Sequence, residues 1–431
     1  MRTRSFRRSL ALVAALALVL TACGGDETAD TTAGPAEGGG DTEKITVFLI
    51  PSPNATAITA LADDFTAETG IEVEISETPY GEAHQKQILA FQSGNGQYDV
   101  VQFDNTFLAN YGANGFLEPL QDRIGSSDIY DINDFSPAIQ DYGDYKDDTL
   151  GLILSTEPFL LWYRTDIYEE LGLSVPETWD DYLANARAIQ ESGMADGQIL
   201  GYSTPVNAWW WYQLVWSFGG DLYDDDLNPT VNTPEAKAAT EFYVETLEAS
   251  SDGAISIGGD DTTNQFISAE TGQMIQYSGY HPLVVDPETS SFADVIATAR
   301  VPKGSADVVH MAGWNIGIPA DSTNKDAAWQ FLEYVMGKPN AKRFLEEGAA
   351  APGRISTTTD SGLLAETPYL ELLNIPAEVR VERYPQLTVY PEFEKTVGDI
   401  LANILSGQTS IDDGLAEMQE KLTDVLAAEP R

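Results

Sequence analysis

Thiol chemistry is almost absent from this sequence: Cys23 is the one cysteine in 431 residues. No disulfide can close within the chain, and no thiolate cluster can hold a metal. Histidine is nearly as scarce, with His84, His281 and His310 scattered along the chain, so a metal site has little support. Basic residues are few as well. The 23 Lys and Arg against 68 Asp and Glu leave a formal charge of −45, which makes nucleic acid and anionic headgroups poor partners for the surface. Solubility accounts for most of these carboxylates. Also missing are a Gly-x-Ser-x-Gly elbow, a His-Glu-x-x-His pair, a phosphate loop and a dinucleotide glycine fingerprint. Neither cofactor nor metal is expected. A carboxylate pair suited to glycoside hydrolysis is compatible with so many acids, so a secreted carbohydrate-active hydrolase stands as an alternative reading.

At the start, Arg2, Arg4, Arg7 and Arg8 precede an apolar run from Leu10 to Leu20. The run is too short to span a bilayer and has the form of a secretory signal peptide over 1–22. Losing it removes four Arg and no acid, which takes the balance from −45 to −49. It ends in Leu20-Thr-Ala-Cys23-Gly-Gly, which resembles the bacterial lipobox. That resemblance implies lipidation at Cys23, a membrane anchor and a place on the extracellular face of the cell membrane. Residues 24–43 carry Gly, Ala, Thr, Asp and Glu without a large apolar side chain, so 23–43 is expected to be a lipidated tether.

The remaining chain exceeds what one core usually organises, and two lobes are the default. Lys44–Ile50 is a buried strand, a helix follows through Ile58, Leu61 and Phe65 to Gly70, and Ile71–Ile75 alternates as a second strand. A β-α-β unit implies a parallel sheet with ligands at the carboxyl ends of its strands. Tyr98–Phe103 is the next strand, and it delivers Asp104 and Asn105 to such an end.

The stretch Pro205–Gly220 holds three consecutive indoles, Trp209, Trp210 and Trp211. Neighbouring residues on a helix project about 100° apart, so three adjacent Trp are not expected to enter one core. With Gln213–Phe218 helical, Trp209, Tyr212 and Trp216 make a core stripe, leaving Trp210 and Trp211 to line a pocket. Asp221, Asp224, Asp226 and Asn228 are spaced somewhat like a calcium loop. They lack its glycine and closing glutamate, so an acidic turn is expected.

Further signatures stand in order: Tyr98-Asp-Val-Val, Gly115-Phe-Leu-Glu-Pro-Leu, Leu161-Trp-Tyr-Arg-Thr-Asp166, Pro176-Glu-Thr-Trp179, Ala299-Arg-Val-Pro-Lys-Gly304 and Asn324-Lys-Asp-Ala-Ala-Trp-Gln-Phe331. Together they resemble the substrate-binding proteins of ATP-driven importers, in the class that binds sugars and polyols. The resemblance implies the two-lobe α/β periplasmic-binding-protein fold (type II), with the ligand in a cleft between lobes joined by crossover segments. These would fall near 154–158, 311–317 and 357–363. One lobe would be 44–156 with 314–362, the other 157–313 with 363–431. It also implies a monomer that delivers its ligand to permease subunits and is not an enzyme.

On the same resemblance, Glu157 faces the cleft from the first crossover, with an ion pair as its alternative. Trp209 and Trp210 belong to the aromatic cleft segment. Tyr280 or His281 offers a contact, although a buried histidine is the plainer reading of His281. Trp314 and Asn315 lie on the second crossover, where Ala312-Gly313-Trp314 replaces the family's Gly-Gly-Trp. Arg354 points toward the cleft or to the surface, and Tyr390 brings one more ring. Stacked indoles would take the CH face of a sugar, while Asn54, Asp104, Asn105, Glu157 and Asn315 would bond its hydroxyls. A polyamine-like cation is the nearest rival ligand.

Overall fold

The computed structural model describes residues 43–430. Lipidation at Cys23, the signal peptide and all but the last residue of the tether therefore lie outside the described residues.

Strand β1 (Lys44–Leu49) leads into helix α1 (Pro53–Thr69), and strand β2 (Glu72–Glu77) returns parallel to β1. Local chemistry sets both ends of α1. The Ser52 side chain accepts from the Ala55 amide, Pro53 occupies the first turn where its missing N–H is not needed, and Gly70 takes the left-handed conformation at the stop. Helix α2 (Tyr80–Ser93) follows, then β3 (Val100–Asp104), parallel to β1 on its other edge. Side chains alternate across β1. Ile45, Val47 and Leu49 enter a core shared with α1 and the helix Lys325–Met336, whereas Phe48 enters the core on the opposite face with Phe91, Phe103 and Tyr111.

Two long strands carry the chain out of this sheet. The strand Leu152–Arg164 pairs through residues 152–158 with the strand Val308–Gly317. Its second half pairs instead with Gln273–Tyr277 on one edge and Ile296–Arg300 on the other. Val308–Gly317 crosses likewise: its last four residues pair antiparallel with β3, while residues 308–310 pair with Arg380–Glu382. Core membership changes along both strands. Leu152, Ile153 and Leu154 pack with β1, and Phe159 to Trp162 pack with the tryptophan-rich helix; Met311 and Ile316 belong to the first core, Val308 and Val309 to the second. The fold is thus α/β with two cores joined by crossover strands.

In the second core, Thr178 and Asp181 form a reciprocal capping box for the helix Trp179–Ser192, which turns Tyr182, Ala186 and Ile189 inward. The tryptophan-rich helix runs Asn207–Ser217, starting six residues before the expected Gln213, and Trp209 is its one residue that is not buried. A helix apolar all round belongs at the centre of a fold. Here the Trp210 indole donates to the Ile275 carbonyl of the sheet, Trp211 to Thr240 of the helix Pro234–Thr246, and Asn207 to the Gly398 carbonyl of the helix Tyr390–Leu405. The expected single core stripe is therefore replaced by a helix enclosed on three sides.

Candidate functional site

The site is built where the sheet ends meet the crossover strands. Register across β3 and Val308–Gly317 sets Asp104 opposite Trp314, and the other crossover strand sets Ser155 opposite Trp314 and Glu157 opposite Ala312. A Cβ on Gly313 would lie 2.3 Å from the Ser155 carbonyl oxygen. Glycine at this one position of Ala312-Gly313-Trp314 is what lets the two strands close beside the indole. Likewise a Cβ on Gly279 would lie 2.4 Å from Glu157 Oε2, so that glycine leaves room for the carboxyl group.

Glu157 accepts a 2.7 Å bond from the Ser155 hydroxyl. Burial pushes its carboxyl up to about 7; the Ser155 bond opposes this and the Asp104 charge adds to it. Asp104 accepts from the Thr106 amide at 2.8 Å and from the Tyr80 hydroxyl at 3.4 Å, and burial raises it too. Tyr80 stands edge-on to Trp314 with ring centres 5.8 Å apart, and the residue keeps 46% of its surface exposed. Loss of water around the Tyr80 hydroxyl, then the charges of Asp104 and Glu394, hold it well above its ordinary value.

From the second core come Trp209, Glu394 and Tyr384. The half-buried Trp209 indole donates to Glu394, which also accepts from the Tyr390 hydroxyl at 2.9 Å. Burial raises Glu394, with those two bonds opposing and Asp104 adding. Behind Trp209, Tyr384 packs edge-on at 5.8 Å and shares a 2.8 Å bond with Tyr277. His310 abuts both tyrosines and is fully buried, and loss of water pulls it down to about 3, so it is neutral.

Two side chains already bridge the cores. Gln386 donates to Asn105 at 2.7 Å, and Arg383 donates to the Asp141 carbonyl at 3.0 Å and carboxylate at 2.8 Å. Tyr384 and Gln386 also line a cavity of about 580 Å³ with Trp216, Asp221 and Arg380. Asp104, Glu157 and Trp314 have no part in that cavity.

The expected site residues thus divide. Asp104, Glu157, Trp209 and Trp314 come together with partly accessible side chains. Trp210 is corrected to core: it is 1% exposed, tilted against Phe159 at 5.4 Å, and a Cβ on Gly201 would strike its ring. Trp211, also expected at a pocket, is fully buried. Arg354 points neither to the cleft nor to solvent. It is wholly buried, paired with Asp134 at 3.2 Å, and donates to the carbonyls of Tyr130 and Met336.

Asn54, Asn105 and Asn315 are buried and committed to protein groups. Asn54 donates to Ser155 at 3.3 Å and accepts from the Ala350 amide, and Asn105 donates to the Tyr142 carbonyl and to Asn315. They brace the site from behind because both ends of each amide are spent there or nearby. Tyr390 is 3% exposed and holds Glu394. Tyr280 gives its hydroxyl to Asp260 while feeling the Glu157 charge. His281 stacks on Tyr369 at 4.0 Å, where burial pulls it down to about 4. Glu157 avoids its alternative of an ion pair among the described residues. Asp224 accepts from Asn228 to close an acidic turn, and among the described residues no three His, Cys, Asp or Glu side chains are grouped to hold a metal.

Tyr80, Tyr142, Gln386 and Glu394 were not singled out in the sequence. For Gln386 the signal lay in the loop Arg383-Tyr-Pro-Gln, and for Glu394 in its place one helical turn after Tyr390.

Two cores joined by crossover strands give the two-lobe architecture of solute-binding proteins. The chain belongs to the bacterial extracellular solute-binding protein family, which matches residues 51–342. It is 28% identical over 352 residues to the mannitol-binding protein of Pseudomonas aeruginosa, covering 75% of this chain and 79% of that protein. A probable amino-acid ABC transporter periplasmic-binding protein of Sinorhizobium fredii is 25% identical over 400 residues, covering 90% and 89%. Among solved structures, a solute-binding protein of Agrobacterium radiobacter K84 in complex with ribitol superposes with a TM-score of 0.79 at 25% identity, covering 89% of this chain and 99% of that one. Maltose-bound MalE3 of T. maritima shares the two-lobe fold, with a TM-score of 0.78 at 23% identity over 89% and 99%.

Proposed function

We propose that this protein captures a sugar or polyol between its lobes and delivers it to the permease of an ABC importer. The observation that carries this reading is the junction of Trp209, Trp314 and Tyr80 with Asp104, Glu157 and Glu394. Flat rings suit the CH face of a sugar, and carboxylates accept from its hydroxyls. The names of the mannitol- and ribitol-binding relatives support the same class. An amino acid, the ligand class in the name of the Sinorhizobium relative, fits less well. Its carboxylate would need a cation, and Arg383, which adjoins Tyr142, is already engaged by Asp141.

The lobes in this reading are 44–156 with 314–362 and 157–313 with 363–431, and the mature monomer is held to the membrane by lipid on Cys23. The protein binds and releases its ligand without chemistry, so oligosaccharides incubated with it stay intact. Calorimetric titration against a panel of hexoses, disaccharides and hexitols tests the ligand class; saturable binding supports it, and amino acids binding in place of every panel member would refute it. For the anchor, Cys23→Ser should release the protein from the membrane fraction, and unchanged membrane association would remove Cys23 from that role.

A further inference from the structure

The charge at the junction is one-sided. The ladders set Asp104 and Ser155 on either side of Trp314, and Ser155 donates to Glu157; the field of Asp104 raises both Glu157 and Glu394, the latter held by the Trp209 indole. None of them makes an ion pair among the described residues. The cations close by in field or sequence are committed elsewhere: Arg383 lies over the Tyr142 ring but is paired with Asp141, and Lys395 is paired with Asp399. Three like charges brought together away from water repel one another, and that repulsion is larger than in solvent. Either protons or a cationic ligand must offset it when the lobes close.

A second observation points into the same space. Tyr142 is 1% exposed and its hydroxyl has no hydrogen-bond partner among the described residues; it stands beside Gly313 of the crossover strand, where a Cβ would lie 3.0 Å from it, and it feels the charges of both Asp104 and Glu157. A buried hydroxyl left unpaired is costly, and a ligand is the natural partner. The remaining charged and titratable groups facing Glu157 are Tyr280, which is bonded to Asp260, and Tyr369. None supplies positive charge. The indoles of Trp209 and Trp314 add faces that attract a cation.

We infer that the captured sugar or polyol carries a protonated amine, seated against Asp104, Glu157 and Glu394 beside the Tyr142 hydroxyl; this rests on the reading of a hydroxylated ligand given above. The class is that of amino sugars and amino-polyols. An ammonium group provides several N–H donors for the carboxylates and offsets their charge without proton uptake.

Matched pairs test it by calorimetry: 6-amino-6-deoxyglucose against glucose, and 1-amino-1-deoxyglucitol against glucitol, amines that stay protonated at about pH 8, with putrescine and spermidine as amines without hydroxyls. At about pH 8, where Glu157 is ionised, the amine of a pair should bind at least roughly tenfold tighter than its neutral partner. That advantage should shrink as the pH falls through the Glu157 transition, because protonation removes the carboxylate that the ammonium contacts, and added salt should reduce it further. Glu157→Gln should abolish most of the advantage; Glu394→Gln is the second variant, and melting curves confirm that each is folded. Neutral members binding as tightly as the amines, with proton uptake on binding, would overturn the amine and leave the sugar reading in place. Putrescine or spermidine binding with no hydroxylated compound doing so would keep the charge and overturn the sugar reading, and with it the amino-sugar class. Binding by no member of the panel overturns both.

Discussion

Substituting the adjacent indoles Trp209 and Trp210 separates site from core on one helix turn. Trp210 is 1% exposed, its indole donates to the Ile275 carbonyl at 2.8 Å, and its ring is packed against Gly201 and Phe159. Trp210→Ala leaves a cavity that enclosing elements cannot collapse into, at about 3–5 kcal/mol, and it strands a buried carbonyl at about 1–3 kcal/mol. Against a typical total of about 5–15 kcal/mol, the variant should melt many degrees lower. Trp210→Phe keeps most of the apolar volume and should lose less. Trp209 is half-buried, and its ring is supported by Tyr384 and stacks parallel to Trp210 at 6.1 Å. Trp209→Ala should shift stability by about 1 kcal/mol and weaken ligand binding by about 1–3 kcal/mol, the range for loss of a stacking ring. Denaturation of the unliganded protein reads the first quantity, and calorimetric titration reads the second. A Trp210→Ala protein that melts like the parent yet no longer binds would refute the division drawn here.

Gln386→Ala removes a bridge between the cores and should shift the free protein toward the open form by about 0.5–1.5 kcal/mol, seen as a larger radius of gyration by X-ray scattering; an unchanged profile would show that this bond does not hold the lobes. Glu157 carries a proton in the folded protein between its ordinary 4.5 and about 7, whereas the unfolded chain has released it, so stability falls as pH rises through that window. Glu157→Gln should therefore melt above the parent at about pH 8 and match it at about pH 5; equal melting at both would remove Glu157 as the source. Arg354→Ala should cost about 3–5 kcal/mol of stability by leaving Asp134 buried and unpaired, with ligand affinity in the folded protein unchanged. A weakened affinity with normal melting would return Arg354 to the ligand site.

Local rules made much of the architecture legible. The run Lys44–Ile50 and the stop at Gly70 each depend on residues within a few positions, and both stand in the structure, with the strand ending at Leu49. Long-range partners decided what stayed illegible. Trp210 and Trp211 look alike in sequence to Trp209, and only Ile275 and Thr240 brought up against the helix distinguish them. Arg354 looked like a cleft residue because Asp134, which neutralises it, lies 220 positions away. Glu394 lies far in sequence from the Trp209 indole that it holds, so no local pattern marks that contact. The placement of Asp104, Glu157 and Trp314 at the junction was readable for the opposite reason: each sits at a strand end or a crossover, positions that topology fixes before any side-chain contact is known.

On the proposed function, the crossover strands make binding and closure one event. Ser155, Glu157 and Trp314 are locked together by the ladder between the two strands, so this part of the site keeps its shape as the cores move. Asp104 lies opposite Trp314 in the β3 ladder and Tyr80 bonds to Asp104, so both keep their place beside that part, whereas Trp209, Glu394 and Gln386 belong to the second core. A ligand lying against Asp104, Glu157 and Trp314 meets Trp209 and Glu394 only when the lobes are together. It therefore binds the closed form better than the open one, which is the one condition under which a ligand shifts such an equilibrium. The bonds from Gln386 to Asn105 and from Arg383 to Asp141 join the two cores and favour the closed arrangement. Repulsion among Asp104, Glu157 and Glu394 works the other way, because it grows as the first core approaches the second. The balance between those bridges and that repulsion sets how much of the free protein is open. A ligand that removes the repulsion contributes to closure twice, through its own contacts and through the charge that it offsets.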